Sequence, residues 1–191
     1  MERPSIWPLI LLLAGLAVLA GIFAAVFAFT GSPTDFQGAI KKAGVGGGAK
    51  SGGKTVHLSG VTGYDPQGTG GEHDSSAQLA TDGNSTTYWQ TEHYSSSSFG
   101  GLKDGVGLVL DAGSAKKLKQ LTVKSDTPGF TAVIKFGQGE TGPFTAVSTS
   151  QTVGSSTIFS LSGSAARFYV IWITQLPSDG VAHVNEVTAK S

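Results

Sequence analysis

Between Thr55 and Ser191 the apolar residues come in short bursts, and no stretch sustains the 3.6-residue period of an amphipathic helix. β-rich runs recur at 56–58, 88–91, 106–110, 118–124, 130–136, 144–148, 157–161, 168–175 and 183–189, each bounded by Gly, Ser, Asp or Pro. Several alternate with period two, as a half-buried strand does. Leu118, Leu121 and Val123 interleave with Lys119 and Lys124, and Ala132, Ile134 and Phe136 lie opposite Thr131, Val133 and Lys135. The run from Phe168 to Ile173 is continuously apolar, which predicts a central strand covered on both faces. Eight or nine short strands in this length predict an all-β fold, a two-sheet β-sandwich or jelly roll.

The chain before Thr55 follows a different pattern. Residues 9–29 form a 21-residue apolar run without a charge, long enough as a helix to cross a bilayer core of roughly 30 Å. Trp7 and Pro8 stand at its start, where an interfacial aromatic is expected. The expectation is a retained transmembrane anchor over 1–29. A cleaved signal peptide ending at Val26-Phe27-Ala28 is the alternative, against which stands the length of the run. Arg3 lies on one side of it and Lys41 and Lys42 on the other, so charge alone does not orient the helix. Residues 30–54 hold eight Gly among 25 and read as a flexible tether, with a reach of roughly 25–30 Å. The domain organisation is therefore anchor 1–29, linker 30–54 and β-sandwich 55–191.

Composition agrees with this division and narrows the chemistry. Gly accounts for 28 of 191 residues, only 14% are charged, and there is one Met, a balance that favours strands and turns over a helical bundle. The absence of Cys excludes disulfides, thiolate metal sites and Cys nucleophiles. The zero net charge conceals a split. Residues 1–54 carry five basic and two acidic side chains, 5 − 2 = +3, and residues 55–191 carry eight and eleven, 8 − 11 = −3. An acidic main domain argues against a nucleic-acid partner. Gly48 to Thr55 matches the phosphate-loop pattern G-x-x-x-x-G-K-T, but no strand precedes it and no helix follows, so no nucleotide site is expected. With no Gly-x-Ser-x-Gly elbow and no His-x-x-x-His spacing, no enzyme is expected either.

The segment from Ala80 to Thr91 concentrates chemistry. Asp82-Gly83-Asn84 is a tight turn, and Asp82, Asn84, Thr86 and Thr87 offer closely spaced hard oxygens of the kind Ca²⁺ takes. Read locally, the same residues are also a plain turn capping a strand. Trp89 is expected to plug the core beside the loop. Asn84-Ser85-Thr86 matches a glycosylation sequon, relevant only in a eukaryotic secretory pathway.

Four segments in order carry a family resemblance: Asp82-Gly-Asn with Thr87-x-Trp89, Gly107-Leu-Val-Leu-Asp111, Arg167-Phe-Tyr-Val-Ile-Trp172 and Val184-Asn-Glu186-Val187. Together they resemble a discoidin (coagulation factor 5/8 type C) domain, a galactose-binding-like β-sandwich, over essentially all of 55–191. The stretch Tyr64-Asp-Pro-Gln-Gly68-Thr-Gly70-Gly-Glu72 is similar to the entry into such domains at the C termini of actinobacterial MviN-type and receptor serine/threonine kinase envelope proteins. The resemblance implies a structural Ca²⁺ held by the Asp82 carboxylate, the Asn84 carbonyl, the Thr87 carbonyl and hydroxyl, and the Glu186 carboxylate. A metal-free turn with a solvated Glu186 is the competing reading.

The family's ligand site lies among loops at one end of the sandwich. There Tyr94 and Phe99 are the candidate aromatic platform for a sugar ring, with Glu92, His93 and Gln175 as polar neighbours. The alternative is a surface loop with one aromatic packed beneath it. Asp65, Glu72, His73 and Asp74 read as a solvated Gly-rich turn, with a second cation site as the alternative, and Arg167 is a candidate partner for Asp111. The expected function is a plasma-membrane, single-pass, extracytoplasmic binding module for cell-envelope glycan. A protein-interaction or structural module of an envelope complex is the other reading.

Overall fold

The computed structural model describes residues 53–191. The expected anchor over 1–29 and nearly all of the expected linker lie outside those residues. Among the described residues no helix is long and apolar enough to cross a membrane.

Among the described residues twelve strands form three sheets. They are β1 (Thr55–Val56), β2 (Ser59–Tyr64), β3 (Trp89–Gln90), β4 (Val106–Lys116), β5 (Gln120–Lys124), β6 (Thr131–Gly137), β7 (Thr145–Ala146), β8 (Gln151–Thr152), β9 (Ser156–Ser160), β10 (Ala166–Gln175), β11 (His183–Val184) and β12 (Glu186–Lys190). One sheet runs β1-β12-β5-β9, a second runs β2-β4-β10-β6-β7 with β8 also on β6, and β3 pairs with β11 alone. All pairings are antiparallel.

The period-two pattern decides which side chains meet between the two larger sheets. Leu108 and Leu110 of β4, Ala132 and Ile134 of β6 and Tyr169, Ile171 and Ile173 of β10 share one core with Leu121 and Val123 of β5, Phe159 of β9, and Val187 and Ala189 of β12. β10 lies between β4 and β6, with Val170 opposite Val109 on one side and Lys135 on the other. Its alternate residues Phe168, Val170 and Trp172 form a second cluster with Val109, covered by Tyr64, Val133 and Phe144. Tyr64 meets Phe144 edge-on at 5.0 Å, and Lys135 lies 4.0 Å above the Trp172 ring. This double coverage is why the strand is apolar throughout.

Several strands depart from the sequence reading: β4 runs on to Lys116 where the expected run stops at 110, β8 falls in no expected run, and the first and last expected runs differ in extent. The run expected at 56–58 is the short β1 followed by β2, whose Gly60 and Gly63 look like strand breakers. A 3-10 helix, Asp74–Ala80, crosses that strand closely: a Cβ on Gly60 would stand 1.9 Å from the Ala77 carbonyl oxygen. The Gly63 N–H donates to the Asp74 carboxylate at 3.1 Å. The run expected at 183–189 divides at Asn185, where the chain changes sheets. Buried Asn185 accepts from the Asp126 N–H at 2.9 Å and donates to the Ser85 carbonyl at 3.1 Å, tying two loops together.

Strand directions gather the long loops at one end. β2 ends where β4 begins (Tyr64 opposite Gly107), and β10 ends where β4 and β6 begin (Ile173 opposite Val106, Gln175 opposite Thr131). Loops 65–73, 91–105, 125–130 and 176–182 therefore share that end. The β4–β5 connection between the sheets and the start of the described chain lie at the other.

Candidate functional site

The Asp82 turn is built by its own side chains. Gly83 takes φ +82°, the left-handed conformation that the turn requires. The Asp82 carboxylate accepts from the Asn84 N–H and the Thr87 hydroxyl, each at 2.8 Å, and Asn84 Oδ1 accepts from the Thr86 hydroxyl at 2.7 Å. Glu186, distant in sequence, accepts the Gly83 N–H at 2.9 Å. Asp82 and Glu186 line one groove of about 420 Å³ beside β1. Burial raises the Glu186 pKa above the usual carboxylate value, and the charge of Asp82 raises it further. Asp82, Asn84, Thr87 and Glu186 are thus brought together, with Trp89 wholly buried near them.

Among the described residues no group of three or more His, Cys, Asp or Glu is placed to hold a metal ion. A cation between Asp82 and Glu186 would need carbonyl and hydroxyl oxygens to complete its shell. Asn84 and Thr87 have both kinds on the same turn, so the donor set fits a hard cation such as Ca²⁺.

The Asp65–Asp74 stretch is not a solvated turn. Glu72 is fully buried. Its carboxylate accepts the Glu92 N–H at 2.7 Å and a hydrogen bond from the Tyr94 hydroxyl, and its carbonyl accepts Trp89 Nε1–H at 2.6 Å. Lys103 Nζ lies 2.5 Å from Asp65 Oδ2, 2.8 Å from the Tyr94 hydroxyl and 3.3 Å from Glu72 Oε1. The protein's own ammonium fills the place offered to a second cation, and the network fastens loop 65–73 to loop 91–105. Burial and the Glu72 hydrogen bond push the Tyr94 hydroxyl up to about 12. Burial opposes the charge of Lys103, but hydrogen bonds to Asp65, Tyr94 and Glu72 outweigh it and raise its pKa.

This network corrects the expected Tyr94–Phe99 platform. Phe99 is 1% exposed and meets Tyr94 edge-on at 5.1 Å, while Tyr94 turns its hydroxyl inward to Glu72. Phe99 is a core residue. Of the other ligand candidates, His93 is exposed, and Gln175 is exposed at the last position of β10. Arg167 does bind Asp111, at 2.8 and 3.0 Å, which holds the Asp111 carboxyl below the usual range.

A half-buried aromatic pair at the loop end lies elsewhere. Alternation along β3 buries Trp89 and Thr91 and leaves Tyr88, Gln90 and Glu92 on the outer side. His183 of β11 is the cross-strand partner of Gln90, and its ring stacks on Tyr88 at 3.9 Å and 6°. The stack is held in place: His183 Nδ1 lies 2.9 Å from the Asp126 carboxylate, and its N–H donates to Thr127 Oγ1 at 2.7 Å. Gln90 meets His73 at 3.4 Å, and His73 lies 3.5 Å from Glu92. A fixed aromatic face thus continues into a row of donors and acceptors, an arrangement suited to a ring with one apolar face and hydroxyls at its edge. The sequence signal was the alternation of residues 88–92. It was hidden because the second ring comes from a strand far along the chain.

Neither a protein-family model nor a curated protein matches the chain. Solved structures do. CBM32-3 from a family 31 glycoside hydrolase of Clostridium perfringens matches at a TM-score of 0.53 and 13% identity, over 71% of this chain and 91% of that one. Chitosan-binding module 1 from a chitosanase/glucanase of Paenibacillus sp. IK-5 matches at 0.52 and 17%, over 71% and 96%. A Ruminococcus gnavus GH29 fucosidase in complex with fucose matches at 0.49 and 18% over 63% of this chain, which spans only 22% of the fucosidase. The likenesses to the first two establish the fold as a galactose-binding-like β-sandwich of the discoidin type. They give no support to the narrower similarity with MviN-type or kinase envelope proteins.

Proposed function

We propose that this chain is a membrane-tethered, extracytoplasmic carbohydrate-binding module of the cell envelope, and that a glycan rests on the Tyr88–His183 stack. The observation that carries the proposal is that stack, anchored by Asp126 and Thr127 and continuous with Gln90, His73 and Glu92. An aromatic face covers the C–H side of a pyranose, and the polar row fixes its orientation. The fold is that of modules named for carbohydrate binding, which supports the class of ligand. The apolar run at 9–29 and the Gly-rich segment after it support the tether.

Ca²⁺ belongs to the same proposal as a structural ion. Asp82, Asn84, Thr87 and Glu186 would hold it, and its charge would offset the repulsion between the two carboxylates of the groove. Glu186 then ties β12 to the turn that leads into Tyr88, so the residues of the Asp82 turn hold the platform in register.

The test is retention of the full-length chain on insoluble cell-wall glycan, with and without free sugars, for wild type and Tyr88→Ala. Retention that sugar abolishes and that Tyr88→Ala loses, with unchanged circular dichroism, is the expected result. A folded wild-type chain that is not retained, or retention indifferent to Tyr88→Ala, overturns the proposal.

A further inference from the structure

Most charges of the domain are sorted by end, with exposed Glu140, in the turn after β6, the exception that stands at the same end as the lysines. Lys116, Lys117 and Lys119 stand at the β4–β5 connection, where the chain crosses from one sheet to the other, and the Lys119 N–H donates to the Lys190 carbonyl at 2.8 Å. Lys190 pairs with Thr55, and the Lys54 carbonyl accepts the Ser191 N–H at 3.0 Å, so Lys54 and Lys190 share that end. Lys54, Lys116, Lys117 and His57, with Ser191, line a groove of about 390 Å³. None of these five lysines is in an ion pair; the described ion pairs involve His73, Lys103, Arg167 and His183. Asp111, the carboxylate on the same strand as Lys116, is taken by Arg167. The loop end is the reverse. Asp65, Glu92, Asp104, Asp126, Asp179 and Glu186 stand there, with Lys103 and Lys124 as the lysines, and Lys103 is already bound to Asp65 and Glu72. The acidic net charge of the domain therefore conceals a dipole.

We infer that the lysine end docks on an anionic lipid surface. The inference rests on the tether reading, because the chain enters the domain at this end, and the sequence before Lys54 holds the apolar run together with Lys41, Lys42 and Lys50. Unpaired lysines within a Debye length of about 10 Å of anionic headgroups are attracted to them. The acidic loop end is repelled by the same surface. Both forces turn the domain the same way, the β4–β5 connection toward the bilayer and the Tyr88–His183 strip away from it. A lipid surface, unlike a small anion, needs no convergent pocket; it needs several cations at one end of the molecule, which is the arrangement present.

The experiment uses the full chain in lipid nanodiscs of phosphatidylcholine, alone or mixed with phosphatidylglycerol. The chain has no Cys, so Ser114→Cys places a single fluorophore by the β4–β5 connection and Ser178→Cys places one at the loop end. Energy transfer to a headgroup acceptor reports proximity. The expected result is stronger transfer from position 114 than from 178 in the anionic discs, lost in high salt and lost in Lys116→Glu/Lys117→Glu/Lys119→Glu. Each lysine near the surface biases the orientation about fivefold, so the triple reversal lowers the ratio of docked to undocked orientations at least about a hundredfold. Equal transfer in both lipids, or no change in the triple variant, overturns the inference and leaves the tether standing. Failure of the chain to enter discs overturns both. A response of the 114 label to soluble inorganic polyphosphate with none to phosphatidylglycerol assigns the lysines to a soluble polyanion and overturns the lipid reading.

Discussion

Lys103→Met tests the strut beneath the loop end. The substitution keeps an unbranched apolar stem and removes the ammonium that touches Asp65, Glu72 and Tyr94. Asp65 and Glu72 have side chains 3% and 0% exposed, against 16% for Lys103. Removing one partner of a buried ion pair costs about 3–5 kcal/mol, because the other partner stays buried without compensation. The ammonium retains a solvent edge, so the lower part of that range, about 3 kcal/mol, is expected. For a domain of this size each kcal/mol moves Tm by roughly 3–5 °C, so the variant should melt about 10–15 °C below wild type. Near-ultraviolet circular dichroism on heating measures it, with exposed Lys124→Met as a control that should change stability by less than about 0.5 kcal/mol. Glu72→Gln completes a cycle, and the double variant should cost less than the sum of the singles by roughly 1–3 kcal/mol. A Lys103→Met loss below about 1 kcal/mol, or strict additivity with Glu72→Gln, would refute the claim that this lysine neutralises the buried carboxylates.

Three further outcomes follow from the same geometry. Tyr94 holds its proton more tightly when folded, its pKa raised from 10.0 to about 12. Its contribution is therefore complete below the unfolded value and is lost as pH rises through the folded one; Lys103, also raised, acts with the same sign. Wild-type Tm should fall between about pH 10 and about pH 12, with a shallower slope in Tyr94→Phe; parallel slopes contradict the network. Saturating Ca²⁺ should raise wild-type Tm by mass action, and Glu186→Gln should abolish the rise while leaving the metal-free chain no less stable, since it relieves the repulsion from Asp82. Gly60→Ala, whose Cβ would stand 1.9 Å from the Ala77 carbonyl oxygen, should cost about 3 kcal/mol or more in urea unfolding; a neutral result would remove the close crossing of β2 and the 3-10 helix.

The residues that were legible in the sequence are those whose environment is local or whose pattern is periodic. Alternation at Leu121–Val123 and Ala132–Ile134 is enough to face those side chains into one core, and the unbroken run at 168–173 marks a strand packed on both sides. The oxygens of the Asp82 turn are neighbours in sequence, and the resemblance supplied the distant Glu186. What escaped depends on long-range pairing. Gly60 and Gly63 resemble breakers until the 3-10 helix that lies on them is known. Tyr94 and Phe99 flank a run of four serines, which suggests a surface. Tyr94 is held inward by Glu72, whose own Gly-rich surroundings gave no hint of a core position, and buried Phe99 packs edge-on against Tyr94. The Tyr88–His183 platform exists only because β3 pairs with β11, and neither two-residue strand announces its partner.

The most direct test of the central claim is amide chemical-shift mapping of the isotope-labelled chain titrated with soluble cell-wall glycan fragments. Carbohydrate binding on the proposed strip predicts saturable shifts concentrated at Tyr88, Gln90, Glu92, Asp126 and His183, lost in Tyr88→Ala. Saturable shifts centred on another surface, or a spectrum that glycan leaves unchanged, would contradict it.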